Sequence, residues 1–311
     1  MSKPMAKLNL KVPKTKPTQT PPEPEKFSIV VDGTDGRDVL FATRGHDTIN
    51  GGADNDLLFG LSNRGGADGH DRLYGGTGND TLVGGPGDDL LDGGDGIDTA
   101  ALSTDVVMWM PRSGAQVDLA LTGAQNTRTG TKTFVSIENL IGTLKADALK
   151  GNDTDNSFFG DAGHDALWGR AGNDVLDGGV GNDRLNGGDG DDLLIGGLGQ
   201  DRLTGGSGSD TFSFTLKGMK GGNVDVVTDF KAGEDKIKLS GPNLSGFKES
   251  GFLAEKAFHV GVQARDGDTR VFYNQDNGKL FFDADGTGAQ AAVQIAKLSK
   301  GLSLTHADFV L

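Results

Sequence analysis

Fourteen aspartates occupy one place in a nine-residue frame: Asp38, Asp47, Asp56, Asp71, Asp80, Asp89 and Asp98 in a first block, and Asp147, Asp165, Asp174, Asp183, Asp192, Asp201 and Asp210 in a second. Each is followed two residues later by an apolar side chain, and most are preceded by a glycine-rich stretch. From GDAGHDALW (160–168) to GGSGSDTFS (205–213), six units run without a break in phase. Carboxylates repeated in this way offer oxygen ligands to hard cations. The chain has no Cys, its five His do not cluster, and neither H-E-x-x-H nor G-x-S-x-G is present, so zinc-type ligand sets and the familiar hydrolase nucleophiles are not indicated.

Charge follows the same frame. The 44 acidic and 30 basic residues give a net charge of −14, of which −9 lies in 33–101 and −8 in 142–213, and both blocks contain Asp but no Glu. This balance argues against a nucleic-acid partner and toward cations. No uninterrupted apolar run approaches the roughly 20 residues of a membrane-spanning helix, so no transmembrane segment is expected.

The frame also dictates the elements that place the aspartates. Glycines at positions one, two and four permit sharp turns with positive φ, and positions seven to nine, such as Val175-Leu176-Asp177, suit a strand of three residues. Two units make one flattened coil, and coils stack as parallel sheets about 4.8 Å apart. Leu176, Leu185, Leu194 and Leu203 then point inward from alternate sides, and position six falls in the turn. Asp165, Asp183 and Asp201 form one column on the coil edge and Asp174, Asp192 and Asp210 the other. The six-residue insertion at 60–65 keeps Asp47 and Asp71 on one edge if it bulges out. His46, His70 and His164, all at position five, are expected to be solvated turn residues.

Carboxylates about 5 Å apart repel by roughly 3 kcal/mol per adjacent pair at an effective dielectric near 20. One buried apolar residue per nine ordered ones is weak compensation. A dication between coils turns the repulsion into attraction. Calcium fits best, because it takes six to eight oxygens in loose geometry, whereas magnesium holds a tight octahedron and zinc or copper prefer nitrogen and sulfur. Multiple calcium ions are therefore expected, with metal binding coupled to folding. Asp183 and Asp192, flanked by in-phase aspartates on both sides, should be the strongest ligands, and Asn156, which replaces the repeat Asp, a poor one.

The consensus G-G-x-G-x-D-x-U-x, with U apolar, resembles the nonapeptide of the RTX, or haemolysin-type calcium-binding, family over nearly all of 33–213. The stretches 225–241 and 280–298 and the ending LTHADFVL (304–311) resemble the C-terminal domain of serralysin-like exports. That resemblance implies an uncleaved C-terminal signal read by type I secretion machinery, with Asp308, Phe309, Val310 and Leu311 closing it, and hence an extracellular location. Residues 1–26 hold six Lys and six Pro and no Sec-type signal peptide is visible, which fits this route.

The expected fold is all-β, with two calcium-stabilised parallel β-roll blocks joined by a β-rich connector, plus a C-terminal β-rich module. The expected boundaries are a disordered arm at 1–26, a first roll at 27–101, a connector at 102–141 with strands near 106–110, 115–121 and 132–142, a second roll at 142–213 and a C-terminal domain at 214–311. A secreted calcium-binding interaction or structural protein is the leading functional expectation, with an extracellular polysaccharide or host surface as partner and no enzyme activity. A membrane-active RTX effector is the alternative, although the hydrophobic segments of cytolysins are lacking. A hydrolase or polysaccharide-modifying enzyme with an unrecognised site is the second alternative.

Overall fold

The computed structural model describes residues 28–60, 69–103, 113–128, 130–216, 223–241, 244–288 and 290–311. The Lys/Pro-rich arm at 1–26 and the run at 106–110 lie outside them. The described residues are organised by β-strands and short 3-10 turns, and no helix among them is long and apolar enough to cross a membrane. Contacts divide the chain into two compact units, Met1–Asn152 with Ser157–Asp161, and Asp153–Asn156 with Ala162–Leu311.

In the first unit, Val30–Asp32, Thr48–Ala53, Arg72–Thr77, Asp88–Asp95 and Thr131–Val135 form one parallel ladder, and Gln125–Asn126 adds antiparallel to the last. A second parallel ladder runs through Val39–Phe41, Leu57–Phe59, Thr81–Val83, Thr99–Ala101, Asn139–Ile141 and Ser157–Phe159. The apolar residue two places after each aspartate supplies the core: Ile49, Leu73 and Leu91 from the first ladder and Leu58, Leu82 and Ala100 from the second are all buried. Phe41 stacks on Phe59, with ring centroids 4.7 Å apart, beside a buried cluster of Leu57, Phe59, Val83 and Ala101.

The connector is not a separate layer within this unit, because two of its strands extend the two ladders. Thr131–Val135 keeps register with Asp88–Asp92, and Asn139–Ile141 with Thr99–Ala101. Of the remaining expected strand, Gln116–Asp118 forms and pairs with Ala148–Lys150.

In the second unit, Val175–Asp177, Leu193–Ile195, Thr211–Thr215, Lys236–Ser240 and Phe309–Val310 make one parallel ladder. Ala166–Ala171, Arg184–Asp189, Arg202–Ser207, Asp225–Val227 and Val293–Lys297 make the other. Antiparallel strands Lys279–Phe282 and Val271–Asn274 continue the latter. The coil geometry thus runs on past residue 213, with Val227 and Ile237 buried where the repeat leucines stood before.

The glycines divide their work differently from expectation. Positions two and four take positive φ, as at Gly188 (122°) and Gly190 (135°), and even Arg170 at position two is held at 89°. Position one is not left-handed. A Cβ on Gly178 would lie 2.5 Å from Asp183 Oδ2 and 2.8 Å from Gly196 O. Glycine is needed there to leave room beside a carboxylate.

Candidate metal centres along the coil edges

Each position-six aspartate is fixed by the coil stack itself. In most of them the backbone N–H donates to Oδ1 of the aspartate on the next coil. In the first unit Asp38 N–H donates to Asp56, Asp56 to Asp80 and Asp80 to Asp98, each at 2.7 Å. On the other edge Asp47 donates to Asp71 at 2.8 Å and Asp71 to Asp89 at 2.9 Å. Asp47 and Asp71 therefore stand in one column, and the inserted residues 61–65 lie outside the described ones. In the second unit Asp165, Asp183 and Asp201 form one chain of such bonds, and Asn156, Asp174, Asp192 and Asp210 the other. Asp147 Oδ1 accepts from Ala115 N at 2.5 Å.

Once Oδ1 is used, Oδ2 decides what the site can do. At Asp56, Asp80, Asp98, Asp174, Asp183 and Asp192 it is buried and meets no hydrogen-bond donor. It faces the notch left by the position-one glycine, where a backbone carbonyl of the next coil, such as Gly196 O beside Asp183, also points. The arrangement is one of oxygens without a counter-charge. Among the described residues no three acidic or imidazole side chains converge; the remaining donors are backbone carbonyls, which suit a hard, many-coordinate cation.

Burial has an electrostatic cost that backbone hydrogen bonds only partly offset. Desolvation pushes the carboxyl of Asp192 up to about 8, those of Asp174 and Asp183 up to about 7 and those of Asp98 and Asp210 up to about 6. Neighbouring carboxylates add to the rise at Asp192, Asp183, Asp98 and Asp210. A cation placed among these oxygens would favour their ionised form and oppose the rise.

Asp38, Asp47 and Asp147 differ. At these units Thr stands at position two, and the N–H groups of Thr34, Thr43 and Thr143 donate to Oδ2 at 2.6, 2.7 and 2.6 Å. Their second oxygens already have partners, so a neutral donor stands where the others have none. This capping was not read from the sequence, although Thr replacing the second Gly was its visible sign.

Three further acids extend the columns beyond those expected. Asp98 N–H donates to Glu138 Oε2 at 2.8 Å, Asp201 to Asp225 Oδ1 at 3.0 Å and Asp210 to Asp235 Oδ1 at 3.1 Å. Each keeps the repeat's offset to a buried apolar residue, namely Leu140, Val227 and Ile237. That offset survives where the glycines do not. Asp235 Oδ2 is capped by Lys231 N–H at 2.7 Å.

The position-five His residues are exposed turn residues, as expected, and each also accepts a hydrogen bond from the next coil. His46 Nδ1 accepts from His70 N at 2.8 Å, His70 Nδ1 from Asp88 N at 2.9 Å and His164 Nδ1 from Asn182 N at 2.8 Å. Asn55, Asn173 and Asn182 side chains do the same. These rings are exposed, yet each ties one coil to the next. His46 and His70 also stack, with centroids 4.8 Å apart.

The model of the RTX calcium-binding nonapeptide repeat (4 copies) matches residues 32–64, 65–100, 141–176, 150–185 and 177–212. No curated protein matches the chain significantly. Among solved structures, the chain is similar to the AlgE6R3 subunit from the Azotobacter vinelandii mannuronan C5-epimerase at 24% identity, covering 53% of this chain and 78% of that one with a TM-score of 0.31. It is also similar to the extracellular lipase LipA from Serratia marcescens at 21% identity, covering 93% of this chain and 40% of that one with a TM-score of 0.22. The matched repeats coincide with the aspartate columns of both blocks, so residues 32–100 and 141–212 carry RTX calcium-binding nonapeptide repeats.

Proposed function

We propose that the chain is a secreted protein whose coils close when calcium enters the position-one notches, and that it works outside the cell as an interaction or structural module without catalytic activity. One observation carries this reading: the buried second oxygens of Asp56, Asp80, Asp98, Asp174, Asp183 and Asp192 have no partner. These carboxylates and the adjacent carbonyls would hold the ion, and calcium supplies the positive charge they lack. At roughly millimolar calcium and a site Kd near 10⁻⁴ M, each site adds about 1.4 kcal/mol to folding. Where calcium is scarce the carboxylates oppose closure, and an open chain suits export.

The C-terminal ending supports a type I route through the same coupling. Asp308 is buried, accepts from Gly233 N at 2.8 Å and Thr305 N at 2.7 Å, and positions Phe309–Val310 as a strand of the ladder. Asp308 and Phe309 are buried once the ladder has formed, so an exporter that reads them would act before closure. An extracellular polysaccharide or host surface is the partner class we assign.

The test is a calcium titration of the full chain followed by far-ultraviolet circular dichroism and hydrodynamic radius. β signal should rise and radius fall as calcium reaches the millimolar range, with magnesium far less effective. Equal β content in chelator and in calcium would refute the reading.

A further inference from the structure

Lys132 is a buried cation on the same coil edge. Its side chain is 2% exposed, its Nζ lies 2.8 Å from Asp89 Oδ2, and the Asp89 side chain is 0% exposed. Nζ also donates to Gly87 O at 2.8 Å. Asp89 otherwise resembles its column mates, since its Oδ1 accepts from Asp71 N.

The backbone explains how a lysine came to this place. Strand register sets Lys132 opposite Asp89, so it stands at position six of a degenerate unit, 127–135. Arg128 and Gly130 at positions two and four have φ of 64° and 132°, and Phe134 at position eight is buried. Its described residues keep the positive φ at positions two and four and the core residue of the repeat, but carry an ammonium where the repeat has a carboxylate.

We propose that Lys132 is a tethered cation in this column: its ammonium takes the Asp89 carboxylate and the Gly87 carbonyl, so that this coil boundary binds no calcium. The inference rests on the calcium reading above. The ammonium donates to Gly87 O and supplies a positive charge 2.8 Å from Asp89 Oδ2, an ion pair without an aligned hydrogen bond that neutralises one carboxylate. An aspartate at 132 would instead add a second carboxylate to the same edge and continue the column toward a metal site.

The experiment counts calcium bound per full chain at saturation, by equilibrium dialysis with metal analysis, for wild type, Asp89→Asn, Asp183→Asn and Lys132→Asp. Asp89→Asn should keep the wild-type count, Asp183→Asn should lose at least one ion, and Lys132→Asp should gain one. Loss of an ion from Asp89→Asn, or an unchanged count in folded Lys132→Asp, would overturn the proposal while leaving the calcium reading intact. A wild type that binds no calcium would overturn both. A measurement independent of variant folding is amine acylation of the calcium-loaded wild type with mass-spectrometric mapping. Lys132 should react at least tenfold more slowly than exposed Lys145, and equal rates would count against a buried ammonium.

Discussion

Replacing Asp183 by Asn separates the two jobs of that carboxylate. Its Oδ1 accepts from Asp165 N at 2.8 Å, and an amide oxygen can keep this bond. Its Oδ2 has no donor, and an amide NH₂ there can donate to the Gly196 carbonyl that shares the notch. The wild-type carboxyl, pushed from 3.8 to about 7, resists ionisation in the folded coil by about 4 kcal/mol. Asp183→Asn should therefore favour the metal-free fold by up to about 4 kcal/mol above pH 7.5, while forfeiting about 1.4 kcal/mol of calcium stabilisation at tenfold excess over the site Kd. Both are measurable on the full chain: osmolyte-driven folding in chelator at pH 8 reads the first, and the calcium midpoint by circular dichroism reads the second. The osmolyte midpoint should fall and the calcium midpoint rise. Asp38→Asn should move the calcium midpoint much less, because Thr34 already satisfies Asp38 Oδ2. Equal calcium shifts for the two variants, or no rise for Asp183→Asn, would refute the assignment of unpartnered oxygens as ligands.

Other outcomes follow from the same geometry. Buried carboxyls at Asp98, Asp174 and Asp192 lie at about 6, 7 and 8 in the fold against 3.8 ordinarily; a raised carboxyl favours folding below its ordinary value and loses that contribution as pH rises through the folded one. The chelated chain should accordingly gain β signal as pH falls from 8.5 to 5, and a flat or opposite trend would contradict the burial argument. Gly178→Ala fills the notch between Asp183 Oδ2 and Gly196 O and should cost about 1–3 kcal/mol of calcium-dependent stability. Gly36→Ala, with nothing within 4 Å of its Cβ, should stay within about 0.5 kcal/mol; thermal melts in calcium compare the two. Asp235→Ala removes the acceptor for Asp210 N and should destabilise by about 1–3 kcal/mol, a loss that the calcium midpoint and chemical denaturation would reveal.

Much of the roll was legible because its signals are local and periodic. Glycines, aspartate and an apolar residue at fixed offsets dictate a turn, a ligand and a core contact, so the pairing of Leu176 with Leu194 and of Leu185 with Leu203 followed directly. The coils at 127–141 and 225–240 were harder to see. There the glycines are mostly gone, and only the offset from a polar residue to a buried apolar one persists, as in Lys132 and Phe134 or Asp235 and Ile237. Strand register supplied by the preceding coil, rather than local sequence, holds these segments in place. The Thr caps and the Nδ1 bonds of His46, His70 and His164 link atoms on side chains that composition alone marks only as polar and turn-forming.

Within the columns, the distinction between filled and unfilled oxygens is the claim on which the rest depends. The direct measurement is a crystal structure of the full chain grown at saturating calcium, with anomalous scattering used to locate the ions. Calcium is expected beside Asp56, Asp80, Asp98, Asp174, Asp183 and Asp192, and not beside Asp38 or Asp89. Ordered coils whose notches at those six residues hold no ion, or ions held equally at Asp38, would contradict it.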